Sequence, residues 1–478
     1  MASRVAVDSD TWWHLRAGQW MIEHRTLLRI DMFSYTRYGQ PWHYTAWMLE
    51  IPMAAIYGLV GPGGLNLWMA GMITLSFFFV WRVMSGGPFL KAFILVLATA
   101  TSSIFWAARP HLMTYLLSAI YLSILEDYRW ERVALARRRL WWLPALMAIW
   151  ANSHGGFAVG FILMGIYWIN QVWGWLVDGS LWERLKSIVR TPKILLTHPD
   201  YILSRIAVLL LVALCINPIG VQMLLYPFKT VAIGNLRDYI QEWQSPNFHS
   251  LSVQPFIWLL LAVFGVVGIS RRRLVLSDFL LVAVPVYMGL LAGRNVALFA
   301  LFAPPVLARH AAPVLDALGR RIGYRGMRDR PMSPAQGWVN RALLVVLAIA
   351  VIAKLALVFP PQVTEQHNRK SLPYDAVSYL KSAHLPGELF STYNWGGFLT
   401  WVLPEYRVFI DGRTDLYGDE IIDEWLQVAR GEPGWQEVLD RWNVNSLLFE
   451  PNLPVVDHLE EENWRLVYED DMAVIYVR

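Results

Sequence analysis

What most constrains this 478-residue chain is a series of apolar runs, each near the length of a bilayer crossing, separated by short polar loops. A spanning helix needs roughly 20 mostly apolar residues. Ten segments fit or approach that length: 65–84, 89–106, 112–126, 140–152, 157–177, 202–216, 255–270, 275–292, 296–309 and 339–359. Only 16% of the residues are charged, against about 25% in ordinary soluble domains, so lipid is the expected main solvent. The 25 tryptophans and 20 tyrosines agree, because amphipathic rings collect at membrane interfaces.

The loops between these runs alternate in charge. One set carries Arg129, Arg132, Arg137, Arg138 and Arg139, then Arg184, Lys186, Arg190 and Lys193, then Arg271, Arg272 and Arg273. It closes with Arg309, Arg320, Arg321, Arg325, Arg328 and Arg330. The other set holds only Arg109, Lys229, Arg237 and Arg294. The positive-inside rule makes the first set cytoplasmic. Ten crossings then place both the N-terminal segment and the C-terminal tail outside. The stretch "WMLEIPMAAIYGLVG" at 47–61 keeps this alternation only as an interfacial helix against the outer leaflet. After residue 359 the charge density rises, and helical and strand-like patterns alternate: "YRVFIDG", for example, reads as a strand and "DEIIDEWLQVARG" as a helix. The expected organisation is a first outward loop over 1–64, a multi-span domain over 65–359, and a small extracytoplasmic α/β domain over 360–478. The fold class is thus a polytopic α-helical membrane protein with a C-terminal α/β domain. The single cysteine, Cys215, excludes an internal disulfide and a thiolate metal cluster. The leading "MASRVAV" is too short to hold a signal-peptide core.

The unusual polar residues gather in the loops assigned outward: Arg109 and His111 in "ARPH", His154 in "NSHGG", Glu242 in "QEWQSP" and Arg294 in "GRN". Ionisable groups at membrane depth are costly and tend to be functional, so this grouping points to an anion-binding cavity open to the outside. Bland alternatives stand beside it. Arg109 and Arg294 can snorkel to headgroups, His111 and His154 can be packing residues, and Glu242 can cap a short helix. The opening "DSDTWWHLRAGQW" brings Asp8 and Asp10 next to paired tryptophans and Arg16. Two carboxylates at this spacing can share a divalent cation, or one can take a proton from an attacking hydroxyl. Either can also simply cap the helix that follows. "FIDGRTD", with Asp411, Arg413 and Asp415, reads as a turn held by an internal ion pair.

Asp10-Thr11-Trp12-Trp13-His14-Leu15-Arg16 resembles the loop motif of an aspartate followed by aromatics and an arginine in the GT-C class of polyprenyl-phosphate-sugar-dependent glycosyltransferases, above all in the catalytic subunit of oligosaccharyltransferase. "GRNVALFALFAPPVLA" is similar to that family's late proline-containing span, which opens on an arginine near the lipid phosphate; Arg294 takes that position. Tyr393, Asn394, Trp395 and Gly396 occupy the places of the acceptor-side W-D-Y-G, with asparagine where the family has its acid. The resemblance therefore does not carry over recognition of an asparagine sequon. The family also has a membrane helix ahead of the first loop, whereas seven residues precede Asp8 here; either such a helix precedes the present start, or the loop reaches the outer side by N-terminus-out insertion.

The resemblance implies a membrane glycosyltransferase taking a sugar from a polyprenyl-phosphate-linked donor to a glycan, lipid or protein acceptor on the outer face of the cytoplasmic (inner) membrane. It implies Asp10 and Asp8 as catalytic residues, with a divalent cation (Mg or Mn) as an expected metal on them. Arg294, Arg109, His111, His154, Arg16, Glu242, Asn394 and Trp395 are the expected substrate-binding residues. A flippase for an anionic lipid-linked substrate and a non-catalytic assembly factor are the alternatives. A nucleic-acid partner is not expected, because topology accounts for the arginine clusters.

Overall fold

The first loop sets the geometry of everything above the membrane part. Its helix α1 (Thr11–His24) buries Trp12, Trp13, His14, Leu15, Ala17, Gly18 and Met21. Gly18 permits close contact with α2 (Trp47–Val60), since a Cβ there would come within 2.1 Å of the Glu50 carbonyl oxygen. With 14 residues, α2 is only about 21 Å long at 1.5 Å per residue, too short to cross a bilayer core of roughly 30 Å. Gly61, at φ 71°, breaks the chain before Pro62 opens α3 (Pro62–Val83).

The structure is a computed structural model, and it describes the chain apart from residues 1, 7, 43–45, 133–134, 322–332 and 384 and the side chains of 236–237. Arg325, Arg328 and Arg330, and the side chain of Arg237, fall outside that description. Each of the ten expected apolar segments is helical. Among the described residues five helices are long and apolar enough to cross a membrane: α3, the run Pro88–Phe105 that contains α4 (Pro88–Ser102), Gly155–Val177, Gly293–Arg321 and Pro334–Val358. The others are shorter or more polar. Gln254–Ile269 and Leu276–Leu291 have 16 residues each, Ile202–Leu214 has 13, Trp142–Ala151 has 10, and α5 (His111–Arg129) carries acids at its far end. The helix Val296–Arg321 runs through the centre and is buried along residues 296–311. Pro334–Val358 is the opposite case, with no buried residue in its span. It is fastened at one end, where Asn66 Nδ2 donates to the Val358 carbonyl at 2.8 Å.

Two arginines that the charge pattern assigns to solvent-facing loops turn inward instead. Arg309 is 2% exposed and pairs with both Glu126 and Asp278. Arg129 reaches Asp278 at 2.6 Å, and the Tyr167 hydroxyl donates to Glu126 at 2.7 Å. Burying these groups requires such mutual pairing, and it ties α5 to Leu276–Leu291 and Val296–Arg321 at the end far from the first loop.

Past the membrane part, four strands form one mixed sheet in the order β1-β2-β4-β3, with β1 (Glu388–Ser391), β2 (Val444–Phe449), β3 (Arg465–Glu469) and β4 (Val474–Val477). β1 and β2 are parallel; the pairs β2/β4 and β3/β4 are antiparallel. The expected strand "YRVFIDG" is not one. Val408 makes only single bridges, to Leu389 and to Ser34, because the chain that follows it is pulled into a buried ion group. There Arg413 pairs with Asp31 at 2.5 Å and with Asp411 at 2.7 Å, and donates to the Tyr417 hydroxyl at 3.0 Å. Asp31 belongs to the first loop, so the pairing expected within 411–413 also locks that loop to the α/β part. Thr36 Oγ1 adds a bond to the Phe409 carbonyl at 2.7 Å.

Removing one member of a fully buried ion group leaves the others uncompensated and costs about 3–5 kcal/mol. Arg413→Ala is expected to lower the Tm of the detergent-solubilised protein and to make the first loop a site of rapid proteolysis; an unchanged Tm and cleavage pattern would contradict the locking role.

Candidate functional site

Between the C-terminal end of α4, the start of α5, the start of Gly155–Val177 and the turn Gly293–Asn295 lies a cavity of about 660 Å³. One wall is acidic and the other basic. The acidic wall is built around Arg109, whose position is fixed by the rigid Pro110 that leads into α5. Its Nη1 donates to Asp8 Oδ2 at 3.2 Å and to Glu242 Oε1 at 2.8 Å, and its Nη2 lies 3.0 Å from Asp10 Oδ2. Three carboxylates from the N-terminal segment and the long loop before Gln254–Ile269 thus meet on one guanidinium.

Asp10 occupies the N-cap position of α1, but its side chain makes no capping bond. Its carboxylate turns to Arg109. Asp8 Oδ1 accepts the Asp10 amide at 2.8 Å. Asp8, Arg109 and Glu242 line the cavity, whereas Asp10 stands behind them, toward the α/β part. Gly412 closes that side so tightly that a Cβ there would sit 1.9 Å from Asp10 Oδ1. The ion group around Arg413 therefore also positions the backbone that presses on Asp10.

Burial pushes the Asp10 carboxyl up to about 7; Arg109 opposes this, and the charges of Asp8 and Glu242 add to it. Burial raises Asp8 as well, against Arg109. The stronger hold of Arg109 keeps Glu242 down at about 2. A divalent cation shared by Asp8 and Asp10 does not fit this arrangement. Asp8 has one oxygen on the Asp10 amide and the other on Arg109, and Asp10 is held by Arg109. Among the described residues no group of three or more His, Cys, Asp or Glu side chains has the spacing of a metal site.

The basic wall holds Arg294, whose guanidinium lies 4.5 Å from the centre of the Trp243 ring and makes no ion pair among the described residues. His154 Nδ1 accepts from the Gly156 amide at 3.0 Å and meets Thr114 Oγ1 at 2.8 Å, which leaves Nε2 as the protonated nitrogen. His111 is in the same tautomer: Nε2 donates to the Phe105 carbonyl at 2.8 Å, and Nδ1 is buried with no hydrogen-bond partner among the described residues. The sequence therefore brings Asp8, Arg109, Glu242, His111, His154 and Arg294 to one cavity.

Three expected residues lie elsewhere. Arg16 faces Phe33 and Gln19 on the other side of α1, five residues after the helix start. Trp395 is buried and donates to the Ser371 carbonyl at 2.9 Å, and Asn394 is exposed on the surface of the helix Tyr393–Val402. Sequence reasoning passed over Arg4, which lines the cavity and donates to the Ser103 and Trp106 carbonyls. Its one signal was a cation in an otherwise apolar leader.

The raised Asp10 carboxyl gives a direct check. A protonated-carboxyl infrared band, assigned by its absence in Asp10→Asn, is expected to disappear with a midpoint near pH 7 as pH rises. Glu242→Gln removes a negative neighbour and frees Arg109 for Asp10, so both effects move the midpoint down. A band that titrates at the ordinary carboxylate range in both proteins would contradict this electrostatic account.

No protein-family profile matches the sequence, and no curated protein does. Solved structures do. The archaeal oligosaccharyltransferase AglB from Archaeoglobus fulgidus, in complex with an inhibitory peptide and a dolichol-phosphate, aligns with TM-score 0.58 at 12% identity over 94% of this chain and 66% of that one. The Archaeoglobus fulgidus enzyme tethered to an acceptor peptide containing the NVT sequon aligns with TM-score 0.52 at 12% identity, over 99% of this chain and 70% of that one. The chain spans about two thirds of the archaeal enzyme's length. What the two share is the fold: this chain has a GT-C-like architecture of membrane helices followed by a small mixed-sheet domain.

Proposed function

We propose that this chain is an integral-membrane glycosyltransferase that moves a sugar from a polyprenyl-phosphate-linked donor to an acceptor. The observation that carries this reading is Arg294: a cation facing the cavity that makes no ion pair among the described residues, across from Arg109 and the acids it holds. A phosphate suits that vacancy of charge, because a guanidinium fork matches two of its oxygens. His154 Nε2–H is a second donor for the same group.

In this reading the acceptor enters along the edge of the cavity at Asp8, next to Asp10. The acceptor oxygen attacks the anomeric carbon, its proton passes to Asp10, and the bond from that carbon to the phosphate oxygen breaks. Arg294 and His154 stabilise the departing lipid phosphate. Arg109 holds the acids in register and offsets their repulsion. Inversion at the anomeric carbon follows by resemblance to GT-C enzymes. The topology proposed with it has ten crossings, with cavity and C-terminal domain on the extracytoplasmic side of the inner membrane.

Mass spectrometry of lipids that co-purify with the protein tests the donor assignment. A charge-assisted hydrogen bond is worth about 1.5–3 kcal/mol, or roughly ten- to a hundredfold in binding. A polyprenyl-phosphate species in wild type, depleted to that extent in Arg294→Ala, is the expected result. Only bulk phospholipid in both samples would contradict it.

A further inference from the structure

We infer that Arg109 is the resident cation of the acidic wall, a covalently tethered guanidinium standing where a carboxylate pair of this kind would otherwise hold a divalent metal ion. The inference deepens the transfer reading above and rests on it for the purpose of the site.

The geometry supports this in three ways. First, the contacts are those of a shared cation and not of a simple surface pair. One guanidinium reaches three carboxylates, Asp8 and Glu242 through Nη1 and Asp10 through Nη2, all within 3.2 Å. An arginine has five N–H donors in a fixed plane, so it can serve several acids at once where a lysine presents a compact point charge. Second, the group is built in. Arg109 is held by a backbone bond from its amide to the Ala107 carbonyl at 2.8 Å, its own carbonyl accepts from the Leu112 amide at 3.2 Å, and Pro110 follows it. Its side chain is 16% exposed, so the charge cannot swing out to solvent without leaving three carboxylates partly buried and unpaired. Third, Asp8 has been drawn into another bond that a metal would have to break, since its Oδ1 takes the Asp10 amide at 2.8 Å.

A fixed cation has a chemical consequence. A divalent ion coordinates carboxylates at about 2.0–2.6 Å and is lost to chelators; a guanidinium sits at hydrogen-bond distance and cannot be stripped. The neutralisation that keeps Asp8, Asp10 and Glu242 together is then a property of the chain alone. The developing negative charge of a phosphate at the Arg294 wall meets arginines on two sides, Arg294 and Arg109.

The test reads metal binding and stability without turnover. Purified full-length protein in detergent is titrated with MnCl2 while the electron paramagnetic resonance signal of free Mn²⁺ is followed, and Tm is measured in Mn²⁺ and in EDTA. Wild type is expected to leave the free Mn²⁺ signal undiminished and to melt at the same temperature in both. Arg109→Ala, which leaves three carboxylates without their cation, is expected to gain stoichiometric Mn²⁺ binding and a Mn²⁺-dependent rise in Tm, and to lose both when Asp8→Asn is added. Stoichiometric Mn²⁺ binding by wild type that disappears in Asp10→Asn would overturn the inference, while leaving the transfer reading intact. An Arg109→Ala protein that is folded and takes up no Mn²⁺ would also overturn it, since the acids would then not form a cation site at all. If Arg109→Ala does not fold, the wild-type titration still decides between the two.

Discussion

The convergence of Asp8, Asp10 and Glu242 on Arg109 is the interaction on which the rest of this site depends. Each acid comes from a part of the chain that would repel the others if brought together without a cation. Arg109, at the entry to α5, supplies it from the membrane side. The N-terminal segment is thereby held over the helix ends, and the long loop bearing Glu242 is drawn against it. This same loop places Trp243 beneath Arg294. A single guanidinium thus sets the distance between the acidic and basic walls.

A second buried arginine performs a parallel task above it. Arg413 binds Asp31 of the first loop and Asp411 of the α/β part, and the glycine between Asp411 and Arg413 presses on Asp10. The C-terminal domain is therefore part of the wall behind the proposed base and not an appendage. At the far end of the helices a third group, Arg309 and Arg129 with Glu126 and Asp278, ties three helices together. These charges are engaged with one another, which suits a fixed scaffold around a cavity at one end better than a polar route leading through it.

Much of this was legible from the residues. Apolar length located ten helices of the membrane part, because backbone in lipid must satisfy its own hydrogen bonds and a helix is the local way to do so. Six of the polar residues outside the long helices' interiors do share one cavity, because the segments assigned outward meet at one end of the helices. What escaped was set by contacts between segments distant in sequence. Nothing local separates Arg129 and Arg309, which turn inward onto acids, from neighbouring arginines that stay in the loops. "YRVFIDG" has the alternation of a strand, yet it meets β1 and the first loop only through single bridges at Val408 before Asp411 and Arg413 enter the buried ion group. Asp10 carries the local signature of an N-cap, and only Arg109, 99 residues later, turns its carboxylate elsewhere. Arg16 follows the spacing of the motif but not its face: six residues after Asp10 on a helix of 3.6 residues per turn, it points away from the cavity.

The central claim is that the acid behind Arg109 activates an acceptor while the arginine across the cavity holds a lipid phosphate. It is tested most directly by loading the purified protein with its co-purifying polyprenyl-phosphate-linked sugar and comparing discharge of that sugar by wild type and Asp10→Asn. The account predicts that Asp10→Asn retains the lipid at the wild-type level and discharges it about 10²–10⁴-fold more slowly, the range for loss of a general base. Equal discharge rates in the two proteins, with the lipid bound in both, would contradict it.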